Sequence, residues 1–198
     1  MLFTETALRG AYIVDVERRE DERGFFGRAF CRREFDKIGL EPDMVQANAA
    51  MNVRGGTVRG MHFQYPSAPE AKLVRCMSGA ILDVIVDLRP ESPTYLQHVA
   101  VELSGRNLRA LYVPCRFAHG YQALQDDTTI LYQASAFYAP DAEGGLRHDD
   151  PQLAITWPLP VTCISAKDRN FPLLDRLMSE LTARMSARSS APTAAALV

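Results

Sequence analysis

The chain has 198 residues, enough for one large domain that buries roughly 70% of its unfolded surface. Its 22 Lys and Arg against 24 Asp and Glu leave a net charge of −2, which excludes a bulk positive field for gripping nucleic acid or an anionic membrane; any anion has to be held locally. No apolar run approaches the ~20 residues of a membrane span, and the opening MLFTETALRGAYIVDVERRE lacks the basic start and apolar stretch of a signal peptide, so a cytoplasmic protein is expected.

From Gly10 to about Ile164 short runs rich in Val, Ile, Tyr and Phe alternate with Gly, Pro, Asn and Asp, the spacing of antiparallel β-structure. The pattern predicts ten strands, at 11–16, 25–30, 44–50, 57–63, 71–77, 81–88, 98–103, 109–114, 118–124 and 129–137. Most have no helical pattern between them, which rules out a parallel α/β sheet and leaves an all-β sandwich or barrel. A short helix is predicted around 32–38. A stronger one follows from Leu174, Leu177, Met178, Leu181 and Met185 at three- and four-residue spacing, with Asn170 and Pro172 as start signals, and it is expected to lie against the sandwich. The domain is thus expected to end near residue 172. After Ser186 the chain is Ala, Ser, Thr and Pro with almost no large side chains, a composition that predicts disorder. Cys31, Cys76, Cys115 and Cys163 show no CxxC or Cys/His pairing, so buried free thiols are expected rather than zinc ligands or disulfides.

His62, in TVRGMHFQ, shares a strand face with Val58, Gly60 and Gln64, and His119 lies among apolar and small residues in RFAHGYQ. Either alone reads equally as a satisfied core histidine; two in one β-domain suggest a site. A metal is disfavoured, because the residue two beyond His62 is Gln64 rather than a second histidine. Lys72 begins the strand AKLVRCM; it either snorkels to solvent or faces a cavity, where a cation stabilises a developing oxyanion. Tyr132, in ILYQAS, is by default a packed aromatic whose hydroxyl has found a partner. Asp83 and Asp87 lie on the strand face opposite Leu82, Val84, Val86 and Leu88, and solvated acids are expected there. Arg23 and Arg59 each precede a glycine, which lets a ligand approach the adjacent backbone and suits a diphosphate. Strict alternation turns Arg59 away from His62 unless Gly60 marks a bulge.

Together the segments are more specific than any one alone. DxRGxF at 21–26, QAN at 46–48, RGxHFQ at 59–64, KLV at 72–74, DVIVDLR at 83–89, SPTY at 92–95, FAHG at 117–120, DDP at 149–151, WP at 157–158 and SAKD at 165–168 occur in an order that resembles the dTDP-4-dehydrorhamnose 3,5-epimerase family, over about residues 3–172. The resemblance implies a cupin-type antiparallel jelly roll, a homodimer exchanging N-terminal strands, and an epimerase of a dTDP-linked 4-keto-6-deoxyhexose that needs neither metal nor coenzyme. Chemically, a C4 ketone acidifies the hydrogens on C3 and C5, so a base, an enolate stabiliser and an acid suffice. By motif match His62 is the base, oriented by Asp168; Lys72 and His119 stabilise the enolate, and Tyr132 returns a proton from the other face. Arg23, Gln46, Asn48, Arg59, Glu143 and Lys167 fall at nucleotide- or sugar-binding positions, and Phe26 and Tyr138 are candidates to hold the thymine. The family usually has Glu at the sugar-contacting position of Arg28, Ser at Ala50, Gly at Arg116 and Trp at His148. The alternatives weighed are a metal-dependent cupin oxygenase or isomerase and a non-catalytic sugar-nucleotide binding module.

Overall fold

The computed structural model describes residues 1–186; the expectation of disorder after Ser186 lies outside the described residues. The chain runs β1 (Leu2–Glu5), β2 (Tyr12–Asp15), β3 (Arg19–Asp21), β4 (Gly24–Phe26), α1 (Arg32–Lys37), β5 (Gln46–Asn52), β6 (Val58–Gln64), β7 (Lys72–Ser78), β8 (Ala80–Asp87), β9 (His98–Ser104), β10 (Ala110–Val113), β11 (Phe117–Ala123), β12 (Thr128–Ala134), β13 (Glu143–Gly145), α2 (Ala166–Arg169) and α3 (Leu174–Ser186). A six-stranded sheet in the order β1-β2-β10-β7-β12-β5 faces a five-stranded sheet in the order β13-β6-β11-β8-β9, and β3-β4 forms a separate hairpin. Every pairing between these strands is antiparallel. The fold is the expected jelly roll.

Three apolar clusters hold the layers together. Val74, Cys76, Ile81, Ile85, Leu111, Phe117, Tyr121 and Ile130 fill the space between the sheets. Met61, Phe63, Val84, Val86 and Leu88 point the other way and pack with Leu174, Leu181 and Met185 of α3. β8 is therefore buried on both faces, which is why its sequence is a nearly continuous apolar run. On the far side, Phe35 of α1 packs with Val14, Leu73 and Tyr112 on the outer face of the six-stranded sheet.

Several expectations are corrected. The strand expected at 25–30 is only the short β4, and the chain leaves the hairpin at Gly27, where a Cβ would stand 2.2 Å from Val16 Cγ1. β1, β3 and β13, of three or four residues, are too short for alternation to reveal. Asp83 and Asp87 are fully buried, not solvated. Asp87 accepts hydrogen bonds from Arg89, Ser92 and Thr94, which outweigh burial and hold its carboxyl below the ordinary range. Among the four free thiols only Cys76 is buried, and Cys163 is exposed. Arg116, where the family usually has Gly, sits at φ +66° in the left-handed region and forms a two-pronged pair with Glu91.

Candidate active site

The cavity walls follow from strand register. On the six-stranded sheet, Tyr132 pairs with Val74 on one side and Asn48 on the other, and Ala134 pairs with Lys72 and Gln46. Period-two alternation then turns Gln46, Asn48, Lys72 and Tyr132 to the same inner face. On the five-stranded sheet His62 stands opposite His119. A cavity of about 340 Å³ is lined by Gln46, Asn48, His62, Glu70, Lys72, Tyr132, Tyr138 and Glu143, among others. A second of about 340 Å³, lined by Arg59, His62, Glu143, Cys163, Ser165, Lys167 and Asp168, shares His62 and Glu143 with the first. His62 and Tyr132 thus approach the same space from opposite sheets.

The bulge at Gly60 is real. His119 pairs with His62 and Tyr121 with Arg59, so Gly60 and Met61 together oppose the single residue Gly120. Gly60 has φ +117°, and a Cβ there would lie 2.6 Å from Gly120 Cα and 2.8 Å from His119 O. The extra residue brings Arg59 to the cavity that His62 lines and aims the Gly60 N–H at Asp168 Oδ2, 3.0 Å away. Gly60→Ala is expected to cost about 1–3 kcal/mol of stability and to displace His62, because the backbone conformation and the contact with β11 are both incompatible with a side chain. Thermal unfolding combined with turnover checks this, and a variant of native stability and activity would show that the bulge tolerates a methyl.

His62 Nε2 lies 2.8 Å from Asp168 Oδ1. Burial alone would raise the Asp168 carboxyl, but the hydrogen bonds from His62 and the Gly60 N–H prevail and hold it below the usual range. With an ionised acceptor facing it, Nε2 carries the proton and donates, which leaves the lone pair on Nδ1. Asp168 is itself placed by a helix cap: Ser165, the N-cap of α2, accepts from the Asp168 N–H at 3.0 Å. SAKD is a capping segment whose third helical residue has been turned to His62.

His119 is buried and lines neither cavity; its Nε2 lies 2.7 Å from Asp83 Oδ1. Lys72 Nζ is 3.2 Å from Glu70 Oε2. Burial, then the neighbouring Glu70 charge, push the Tyr132 phenol above its ordinary pKa, against the opposing pull of Arg59, so it is a phenol rather than a phenolate at neutral pH. Glu143 accepts from Lys167 at 2.6 and 2.7 Å and from the Tyr138 hydroxyl at 2.8 Å. Burial opposes ionisation of Glu143, but these partners hold its carboxyl below the ordinary range, while Glu143 raises both Lys167 and Tyr138. Gln46 Nε2 donates to Asn48 Oδ1 at 3.0 Å, and Arg59 Nε donates to Asn52 Oδ1 at 2.9 Å. Gln64 bonds Ala68, Phe137 and Ala139 and so positions the segment that carries Tyr138.

The structure does not bring every sequence candidate here. Arg23 pairs with Asp21 in the exposed hairpin, and Phe26 and Arg28 line a separate recess in which Arg28 pairs with Glu34. Ala50 packs against the inter-sheet core rather than the cavity. His148 is mostly buried, which lowers its pKa, and its carbonyl accepts from Trp157 Nε1. Sequence reasoning missed Glu70, whose only signal was its position two residues before Lys72, and Asn52, which has none. Asp83 was noticed, but its burial was not. Among the described residues no three His, Cys, Asp or Glu side chains converge as a metal-ligand group, and no helix is long and apolar enough to cross a membrane.

A family model described as dTDP-4-dehydrorhamnose 3,5-epimerase matches residues 5–176. The chain belongs to this family. The dTDP-4-dehydrorhamnose 3,5-epimerase of Methanothermobacter thermautotrophicus is 44% identical over 172 residues, covering 85% of this chain and 92% of the relative. The crystal structure of the Elizabethkingia anophelis dTDP-4-dehydrorhamnose 3,5-epimerase superposes with a TM-score of 0.86 at 35% identity, covering 89% of this chain and 97% of that one. The Legionella pneumophila dTDP-6-deoxy-D-glucose-3,5-epimerase, solved in complex with dTDP-4-keto-L-rhamnose, gives 0.84 at 36% identity, with 91% and 96% covered. As a member of the family the chain is an epimerase, and the metal-dependent alternative is not favoured.

Proposed function

We propose that the chain epimerises a dTDP-linked 4-keto-6-deoxyhexose at C3 and C5, as dTDP-4-dehydrorhamnose 3,5-epimerase in deoxysugar synthesis. The observation that carries the reading is the meeting of the His62–Asp168 pair with Tyr132 across one cavity, from opposite sheets. A sugar ring lying between them has His62 Nδ1 on one face and the Tyr132 hydroxyl on the other. His62 takes the proton next to the ketone, the electron pair moves onto the carbonyl oxygen, and Tyr132 donates a proton to the opposite face of the same carbon. Lys72 stabilises the enolate oxygen as a cation at the cavity wall. His119, held by Asp83 and paired opposite His62 but outside both cavities, backs the wall from which His62 acts. Arg59 and Lys167, in the adjoining cavity, suit the diphosphate, and Tyr138 suits a base as a stacking surface.

A homodimer is part of this proposal. Val45, Met51, Met77 and Leu131 leave large apolar side chains exposed on or beside β5, β12 and β7, a pattern that supports self-association. Arg23 and Phe26, on an exposed hairpin outside both cavities, are then available to a partner's site, with Arg28 just beyond. The substrate reading is tested by incubation with dTDP-4-keto-6-deoxyglucose in heavy water. Deuterium at C3 and C5 with turnover supports it, and no exchange at either carbon overturns it. In the same assay Tyr132→Phe is expected to lower turnover by about 10²-fold or more while deuterium uptake with retained configuration persists, because abstraction survives and reprotonation from the far face does not. Full turnover by this variant would remove Tyr132 as the acid. Sedimentation at rising concentration tests the dimer.

A further inference from the structure

Glu70 lies two residues before Lys72, the first residue of β7, and both side chains face the same cavity. Ala71 between them is fixed to the end of β12 in both directions: its N–H donates to Ser135 Oγ at 2.8 Å, and its carbonyl accepts from the Ser135 N–H at 2.9 Å. Glu70 Oε2 lies 3.2 Å from Lys72 Nζ, and the two side chains are only 11% and 13% exposed, so the pair is shielded from solvent far more than a surface salt bridge. Both line the cavity that holds His62 and Tyr132. A lysine has four rotatable bonds and no preferred direction of its own; a nearly buried carboxylate anchored by the adjacent backbone supplies one.

We propose that Glu70 is a positioning residue for epimerisation, holding the Lys72 ammonium on the Tyr132 wall of the cavity where the enolate oxygen forms. This rests on the reading of Lys72 as the enolate stabiliser. The charge of Glu70 also favours the protonated phenol of Tyr132. The other titratable or charged groups around Tyr132 are Lys72 on β7, His62 and Arg59 on β6, Tyr121 on β11, Tyr138 in the connection after β12 and Glu143 on β13; β5 contributes only the uncharged Gln46 and Asn48.

The test is steady-state kinetics and deuterium uptake on Glu70→Ala, Glu70→Gln, Lys72→Met and the Glu70→Ala/Lys72→Met double variant. Glu70→Ala should lower kcat about 10- to 100-fold with little change in KM, the scale expected when a reacting group is misplaced. Glu70→Gln keeps an acceptor for Lys72 Nζ and should recover most of kcat, while its alkaline limb moves to lower pH because the carboxylate no longer favours the neutral phenol. In the Lys72→Met background, Glu70→Ala should cause no further loss. Wild-type kcat in Glu70→Ala, or an equal loss with and without Lys72, overturns the inference. Should Glu70→Ala fail to fold, Glu70→Ser takes its place, and wild-type kcat in that variant overturns the inference. Lys72→Met with wild-type turnover would bring down the role of Lys72 itself, whereas an impaired Lys72→Met beside a normal Glu70→Ala leaves that role standing and removes only Glu70.

Discussion

His62→Ala is expected to lower kcat by about 10²–10⁴-fold, the range of a lost general base, and to abolish deuterium uptake at C3 and C5 on the same scale. The fold should survive. His62 is partly exposed at the cavity wall, and its loss leaves Asp168 with the Gly60 N–H and a solvated space where the imidazole stood. The buried carboxylate loses its charge-assisted partner, so a stability cost of about 1–3 kcal/mol accompanies the kinetic one. Circular dichroism and thermal unfolding separate the two effects. A folded His62→Ala protein with wild-type exchange and turnover would show that some other group removes the proton.

Asp168→Asn should reduce kcat on the order of 10²–10⁴-fold, and far more than it weakens substrate binding, for a reason visible in the hydrogen bonds. Asp168 offers two acceptor oxygens to two donors, the Gly60 N–H at 3.0 Å and His62 Nε2 at 2.8 Å. Asparagine has one oxygen and one NH2 group. Whichever way the oxygen satisfies Gly60, the amide nitrogen faces His62 Nε2 and demands an acceptor there. The imidazole then moves its proton to Nδ1, the nitrogen required as base, and the carboxylate charge that favours imidazolium is gone. Nitrogen-15 NMR of His62 should report the tautomer change alongside the kinetic loss. Unchanged turnover with Nε2 still protonated would remove Asp168 from the mechanism.

How much of this was legible before folding differs element by element. β8 announced itself as an apolar run because it is buried on both faces, and α3 by its three- and four-residue spacing, since Leu174, Leu181 and Met185 all seat on the five-stranded sheet. The strand expected at 25–30 is present only as Gly24–Phe26, because β3 pairs with those three residues alone, while the aromatic residues raise strand propensity beyond them. Asp83 and Asp87 were expected in water for a related reason. A carboxylate in an apolar strand is acceptable only with partners: for Asp83 this is His119 on β11, which only strand pairing supplies, and for Asp87 they are Arg89, Ser92 and Thr94, whose reach back to it depends on the turn after β8.

The site divides along the same line. His62, Lys72, His119, Tyr132 and Asp168 were legible from ordered motifs, whereas only the structure shows SAKD to be a helix cap. Their assembly was another matter: alternation alone faced Arg59 away from His62, and only the extra residue at Gly60, fitted against Gly120, reversed it. Arg23 and Phe26, in DxRGxF, and Arg28, two residues beyond it, lie apart from the cavity within this chain. Composition and periodicity, properties of neighbouring residues, were sufficient to determine an antiparallel β-domain with a packed terminal helix. Which side chains share a cavity was decided by register, bulge and sheet stacking, because contacts such as Gly60 to Asp168, 108 residues apart, carry no local signature and exist only once the strands have paired.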